Sequence, residues 1–240
     1  MILSSQEIFK NYEKNISKGY RSNMTYVDYA CGLIRKSPVG APLYTKRIAQ
    51  NIATNFALNL SDAAAAAAVA IKRIMDNKII PELRFYQKGI YFRTSVTPFG
   101  EVGIDKKQLI ADKYLLPNKG YETGLYLLFN MGITTQMPNE CVIATNAAKQ
   151  CARKDKKLGV VIKPPKVEIC AENKVYLQTL DALDCLSKAP VDAENPYRII
   201  ANYINENDLC YEKLLSLAYS YYGKNTIMQL AQTAAKGSDE

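Results

Sequence analysis

The sequence predicts an α+β chain in two parts, and three observations predict it. Residues 24–97 read as three helices followed by a two-stranded hairpin. Residues 98–240 read as short strands mixed with helices and close on helices alone. The charge divides at the same place. Residues 1–97 hold 14 Lys and Arg against 6 Asp and Glu, whereas residues 98–240 hold 17 of each, so the whole net charge of +8 lies in the first part. A basic segment joined to a neutral one suits a polyanion-binding module attached to a partner-binding one, although a basic surface also serves solubility alone.

In residues 1–23, Ser4 and Glu7 form a capping-box pattern, and Ile8, Tyr12 and Ile16 recur at helical spacing. They predict an amphipathic helix over about 4–18 with Lys10, Lys14 and Lys18 on its polar side. A helix from Thr25 to about Arg35 turns Tyr26, Tyr29, Ala30 and Ile34 inward, and the turn Ser37-Pro38-Val39-Gly40-Ala41-Pro42 ends it. Leu43-Tyr44 is extended, and Thr45 caps a helix to about Ala57. Ser61-Asp62 caps a third helix through Met75 that contains six consecutive alanines, Ala63 to Ala68. Leu83-Arg84-Phe85-Tyr86, Lys88-Gly89 and Ile90-Tyr91-Phe92-Arg93 then read as a hairpin.

Three helices and then a hairpin is the order of a winged helix-turn-helix, which lays its third helix in the major groove and its wing along the backbone. On that fold Lys72, Arg73, Lys78, Arg84, Lys88 and Arg93 fall on or near the DNA-facing side. Thr45, Lys46 and Arg47, opening the preceding helix, are placed to hold a phosphate at its N-terminus. Such contacts release counterions, so salt is expected to weaken binding. The third helix departs from the usual pattern: where Arg, Asn, Gln or Ser would meet base edges, it offers Ser61, Asp62 and then alanine. Specificity must then come from side chains further along the helix, or from the wing and DNA shape.

Val96–Gly103, with Pro98, Gly100 and Gly103, reads as the link to the second domain, 98–240. There Asp105 to about Ala111, Tyr121 to about Met131, Val175–Leu186, Pro196–Asn205, Tyr211–Tyr222 and Thr226–Ala235 read as helices. Cys141–Ala144, Gly159–Ile162 and Val167–Cys170 read as strands. No apolar run approaches the ~20 residues that cross a bilayer, and Met1–Ser5 does not open a secretory signal, so a cytoplasmic protein with no membrane partner is expected.

Gly132-Ile133-Thr134-Thr135-Gln136-Met137-Pro138, followed by Val142-Ile143-Ala144-Thr145-Asn146, resembles the AbiE-type (AbiEi-like) antitoxins of type IV toxin–antitoxin systems, which act in abortive infection. The likeness includes the Ala-rich helix, the run Lys72 to Ile80 and the wing ending Lys88-Gly89-Ile90-Tyr91, and covers roughly residues 24–186. It implies a transcriptional repressor of its own operon that binds operator DNA through a winged helix. It also implies an antitoxin, active through the C-terminal domain, that counteracts a nucleotidyltransferase-type toxin. Direct contact with the toxin and the oligomeric state are left open.

Lys149, Arg153, Lys154, Lys156, Lys157, Lys163 and Lys166, interrupted by Asp155, form a second basic run. It suits flanking DNA or an acidic toxin surface, and equally a solvated hairpin loop; Lys149, Arg153, Lys154, Lys156 and Lys157 are the candidate partner contacts. Thr134, Thr135 and Gln136 read as a polar turn bonding its own backbone, with ligand or partner binding as the alternative. Tyr219, Tyr221 and Tyr222 read as core and rim.

Nothing in the sequence nominates catalysis. There is no histidine, and the six cysteines (Cys31, Cys141, Cys151, Cys170, Cys185 and Cys210) form no C-x-x-C pair, which excludes the usual zinc sites and histidine triads. Phosphate-loop and nucleophile-elbow motifs are absent. Asp181 and Asp184 could share a helix face and hold a metal, but without further ligands a solvated face is expected. The expectation is no enzyme, no cofactor and no metal. The alternative function is a protein-interaction module whose winged helix does not bind DNA, suggested by the small-residue helix.

Overall fold

The computed structural model describes residues 24–237, and the helix expected over about 4–18 lies outside them. The chain forms two compact units that divide between Gln108 and Leu109. The fold is mixed α and β, and among the described residues no helix is long and apolar enough to cross a membrane.

In the first unit, α1 (Tyr26–Lys36) opens on a capping box. The Thr25 hydroxyl accepts from the Asp28 amide at 3.1 Å, and the Thr25 amide donates to the Asp28 carboxylate at 3.2 Å. β1 (Leu43–Tyr44) leads directly into α2 (Thr45–Phe56). Thr45 is not the cap expected: Tyr44 holds that position without a side-chain hydrogen bond, and the Thr45 amide donates instead to the Gly89 carbonyl at 3.0 Å. The next helix, α3 (Leu60–Asp76), is capped by Asn59 rather than Ser61-Asp62. The Asn59 side-chain oxygen accepts from the Asp62 amide at 2.8 Å, which places Asp62 within the first turn.

The core of this unit joins one stripe from each helix. Ala30, Cys31 and Ile34 of α1, Ile48, Ala49 and Ile52 of α2, and Ala63, Ala67, Ala70, Ile71 and Ile74 of α3 are buried together. Each buried isoleucine contributes roughly 2 kcal/mol of apolar transfer. The alanines on the inner stripe let α3 approach its neighbours closely.

β2 (Leu83–Gln87) and β3 (Ile90–Arg93) form the expected hairpin around Gly89, whose φ of +78° suits glycine. β1 adds to β3, giving a three-stranded antiparallel sheet in the order β1-β3-β2. Val96–Gly103 is more than a link. It contains β4 (Val96–Thr97) paired with β5 (Gly100–Glu101), and the Thr94 hydroxyl donates to the Val102 carbonyl at 2.8 Å.

The second unit follows α4 (Lys106–Ile110), which crosses the division, and a π-helical turn over Ala111–Leu115. Its sheet contains β6 (Gly120–Thr123), β7 (Cys141–Thr145), β8 (Arg153–Asp155) and β9 (Val160–Lys163) in the order β6-β7-β9-β8. β7 and β9 run parallel, and the other pairs are antiparallel. The helix expected from Tyr121 to Met131 is therefore two elements: β6, then α5 (Leu125–Asn130) after Gly124, whose φ is +70°.

β8 lies inside the basic stretch, where charge hid the strand pattern. Val167–Cys170 forms no strand. The side-chain amide of Asn146 bonds both the carbonyl and the amide of Ile169, at 2.9 Å each, and so replaces a ladder. α6 (Lys174–Leu186), α7 (Pro196–Glu206), α8 (Tyr211–Tyr221) and α9 (Lys224–Gly237) complete the unit. Leu180, Leu183, Ile200, Ile204, Leu214 and Leu230 share its helical core.

Candidate nucleic-acid interface

α3 buries one stripe and exposes another, on which Ser61, Ala64, Ala65, Ala68, Val69, Lys72 and Arg73 face solvent. Lys72 and Arg73 have no side-chain partner among the described residues, and Lys46, Lys78 and Lys88 are exposed in the same way. Lys78 follows the end of α3 at φ +50°, and Lys88 sits in the hairpin turn. At the start of α2, Arg47 lies over the Tyr44 ring at 5.1 Å. Because the Thr45 amide is committed to Gly89, that helix end has one donor fewer for a phosphate.

Two of the sequence candidates are held internally. Arg84 donates to the Pro81 carbonyl and pairs with Glu101, both at 2.7 Å. Arg93 turns inward, with its side chain 20% exposed. It donates to the Arg35 carbonyl at 2.7 Å and the Ser37 carbonyl at 2.9 Å, and pairs with Glu82 at 3.1 Å. This ties the end of α1 to β3, a structural duty that the pattern of alternating residues in the hairpin did not announce. An Arg93→Ala variant is expected to lose about 2 kcal/mol, because it strands two carbonyls and a half-buried carboxylate. Urea unfolding reads this as a midpoint lowered by about 1 M. An unchanged midpoint would return Arg93 to the surface set.

In the second unit the other basic run splits by role. Asp155 is the anchor of the β8–β9 hairpin. Burial opposes its ionisation, but Lys113 at 2.8 Å, the Tyr114 hydroxyl at 2.7 Å and the Leu158 amide hold its carboxyl at about 2. Arg153, Lys156 and Lys157 stay exposed around it, and Lys154 pairs with Glu140. Lys149 is also exposed.

Lys163 does not belong to that surface. It pairs at 3.0 Å with Asp181, whose side chain is 4% exposed. Asp181 is thus buried rather than on a solvated face, and it also accepts from the Thr123 hydroxyl at 2.6 Å and the Tyr222 hydroxyl at 2.8 Å. Burial and the Asp181 charge push the ionisation of Tyr121 and Tyr222 far up, so both phenols stay neutral. Asp184 bonds Lys188 and Thr226. Among the described residues no group of three or more metal-ligating side chains gathers.

Thr134 and Thr135 reach beyond their own turn. Their hydroxyls donate to Asp192, at 3.2 and 2.8 Å, and the Thr135 amide donates to the same carboxylate at 2.8 Å. These bonds hold the Asp192 carboxyl below its usual range, the Thr135 amide foremost. The Ile133 carbonyl accepts from the Asp192 and Ala193 amides in return. Only Gln136 bonds locally, its amide donating to the Thr134 hydroxyl. The motif therefore pins the loop before α7, a long-range role that spacing within the motif does not encode.

No family model matches this sequence, and no curated protein matches it. Among solved structures it is similar to the crystal structure of the RV2827C protein from Mycobacterium tuberculosis. The TM-score is 0.44 at 13% identity, covering 89% of this chain and 77% of that one.

Proposed function

We propose that the chain is a DNA-binding transcriptional regulator whose first unit is a winged helix-turn-helix. Following the resemblance in its sequence, it would repress its own operon and act as an antitoxin against a nucleotidyltransferase-type toxin. The observation that carries the DNA-binding part is an order of elements combined with a charge. α1, β1, α2, α3, β2 and β3 succeed one another, with β1 on the far side of β3 from β2, an order that supports the winged-helix reading. The segment that contains them, residues 24–97, holds 10 Lys and Arg against 4 Asp and Glu.

On this reading α3 enters the major groove, with Lys72 and Arg73 on phosphates. Lys78, Lys88 and Lys46 add backbone contacts. Arg84 would have to leave Glu101 to join them.

The test is a mobility-shift titration of the full chain with the duplex upstream of its gene and with an unrelated duplex, at two salt concentrations. Selective binding that weakens with salt is expected. A Lys72→Ala/Arg73→Ala variant should bind at least tenfold more weakly, and its log–log salt slope should fall by about 0.9 for each phosphate no longer neutralised. Absence of binding to either duplex at low salt sinks the reading. It would favour the second one, a protein-interaction module, for which the exposed alkyl side chains of α3 are the specific observation.

A further inference from the structure

We propose that the groove along the outer face of α1 is a docking site for residues 4–18 of the same chain, packed there as an antiparallel helix. The first unit would then carry a fourth helix, whether or not it binds DNA.

The groove has a volume of about 240 Å³ and follows one face of α1. Met24, Asp28, Gly32 and Lys36, four residues apart, run along it, with half-buried Tyr29 and Leu33 beside them. Such a row on one helix is what the ridge of a second helix packs against.

Gly32, in the middle of the row, is the second observation. Glycine is a poor residue for a helix interior. Its φ is not positive, and a Cβ added there would meet nothing within 4 Å among the described residues. Neither backbone conformation nor packing within the described unit calls for glycine. The close approach of another backbone does, and a helix laid across Gly32 makes that approach.

Residues 1–23 supply the occupant. Ile8, Phe9, Tyr12 and Ile16 fall within an arc of about 100° on a helix. Lys10, Lys14 and Lys18 fall on the other side, so docking buries no lysine. A helix over 4–18 would be about 22 Å long and would cover α1, which is about 16 Å long. Residues 19–24 then connect the two, and so short a connection makes antiparallel neighbours. Met24, the last of the connection, already lines the groove. Residues equally distant from the connection face one another, which sets the Tyr12 ring against Gly32. A tether of this length holds the segment at about millimolar effective concentration, ahead of any second copy.

The experiment is hydrogen–deuterium exchange on the full chain, with a free peptide of residues 1–23 as the reference. An isolated helix of this length is marginal in water, so protection reports docking. Residues 4–18 should exchange at least tenfold more slowly in the chain than in the peptide, at the same rate whatever the protein concentration. Gly32→Leu fills the space without a clash in the described unit and should remove most of that protection. Amides around buried Ile52 and Ile71 should keep theirs, which shows that the variant folds. Tyr12→Asp, which alters no described residue, should remove the protection in the same way.

Exchange at the peptide rate in the native chain overturns the proposal. Protection that survives Gly32→Leu and Tyr12→Asp places the segment elsewhere and overturns it too. Protection that rises with protein concentration gives the groove to a second copy and overturns the choice of occupant. If Gly32→Leu loosens Ile52 and Ile71 as well, Tyr12→Asp alone decides.

Discussion

Replacing Asp181 with alanine is expected to cost the second unit about 3 kcal/mol. The carboxylate joins three separate elements: the Thr123 hydroxyl comes from β6, Lys163 from β9, and Tyr222 from the residue that closes α8. Alanine removes this acceptor from all three. Lys163 suffers least per unit charge, since its side chain is 33% exposed and its ammonium can turn towards water. Thr123, fully buried, has no such escape, and half-buried Tyr222 keeps only the longer bond from its hydroxyl to the Leu177 carbonyl at 3.3 Å. A cavity term adds to the loss.

Urea unfolding followed by circular dichroism and tyrosine fluorescence is the measurement, since the chain has 17 tyrosines and no tryptophan. At a slope of about 2 kcal/mol per molar, the midpoint of the second unit should fall by about 1.5 M. Asp181→Asn keeps an acceptor for the hydroxyls and should cost less than half as much. If alanine and asparagine behaved alike, with a fall under about 0.5 M, the carboxylate would not be the link between sheet and helices. DNA affinity measured below the transition should not change, because the network lies wholly in the second unit while Lys72 and Arg73 lie in the first.

Local rules made much of the first unit legible and little of the second unit's polar interior. In residues 24–97 the apolar periods, Pro38, Gly40 and Gly89 specify helices and a hairpin from neighbours in sequence alone. Lys72 and Arg73 follow from position on a helix, and the structure exposes both. The candidates that changed role did so through partners far along the chain. Arg93 meets carbonyls 58 and 56 residues away, and Thr135 meets a carboxylate 57 residues away. Asp181 and Asp184 looked alike as two acids on one helix. Their difference lies in what β6, β9 and Tyr222 bring to one of them, and no spacing on α6 carries that information. Charge misled in the other direction at Arg153–Asp155. A strand at the end of the order β6-β7-β9-β8 carries Arg and Lys, which protect an open edge but erase the apolar alternation that marks a strand.

The misread stretch at Tyr121 leads to the other large effect, on Gly120. Tyr121, Leu125, Leu128 and Phe129 recur at near-helical spacing, although Gly124 interrupts the stretch. In the structure Gly120 opens β6 opposite Thr145, where three backbones converge. A Cβ added there would come closer than 3.0 Å to the Tyr114 carbonyl oxygen, the Ala144 carbonyl oxygen and the Thr145 Cβ. None of these can step aside cheaply. The Thr145 hydroxyl is already bonded to the Tyr114 and Lys119 carbonyls at 2.9 and 3.1 Å, and the Asn146 amide donates to the Lys119 carbonyl at 2.8 Å.

Relief of the clash must move β6 away from β7 or unseat the π-helical turn that carries Tyr114. Either movement breaks ladder bonds and shifts the Tyr114 hydroxyl from Asp155, the anchor of the basic hairpin. Gly120→Ala should therefore cost at least about 4 kcal/mol, beyond the usual range for one methyl added to a core, and lower the urea midpoint of the second unit by about 2 M or more. Gly124→Ala makes the contrast. It incurs strain at φ +70°, but the new Cβ would meet only the Val142 side chain, at 3.7 Å, so about 1–2 kcal/mol is expected. Equal losses for the two would mean that the close approach at Gly120 is relieved cheaply, since Gly120 has no positive φ to select glycine at the start of β6.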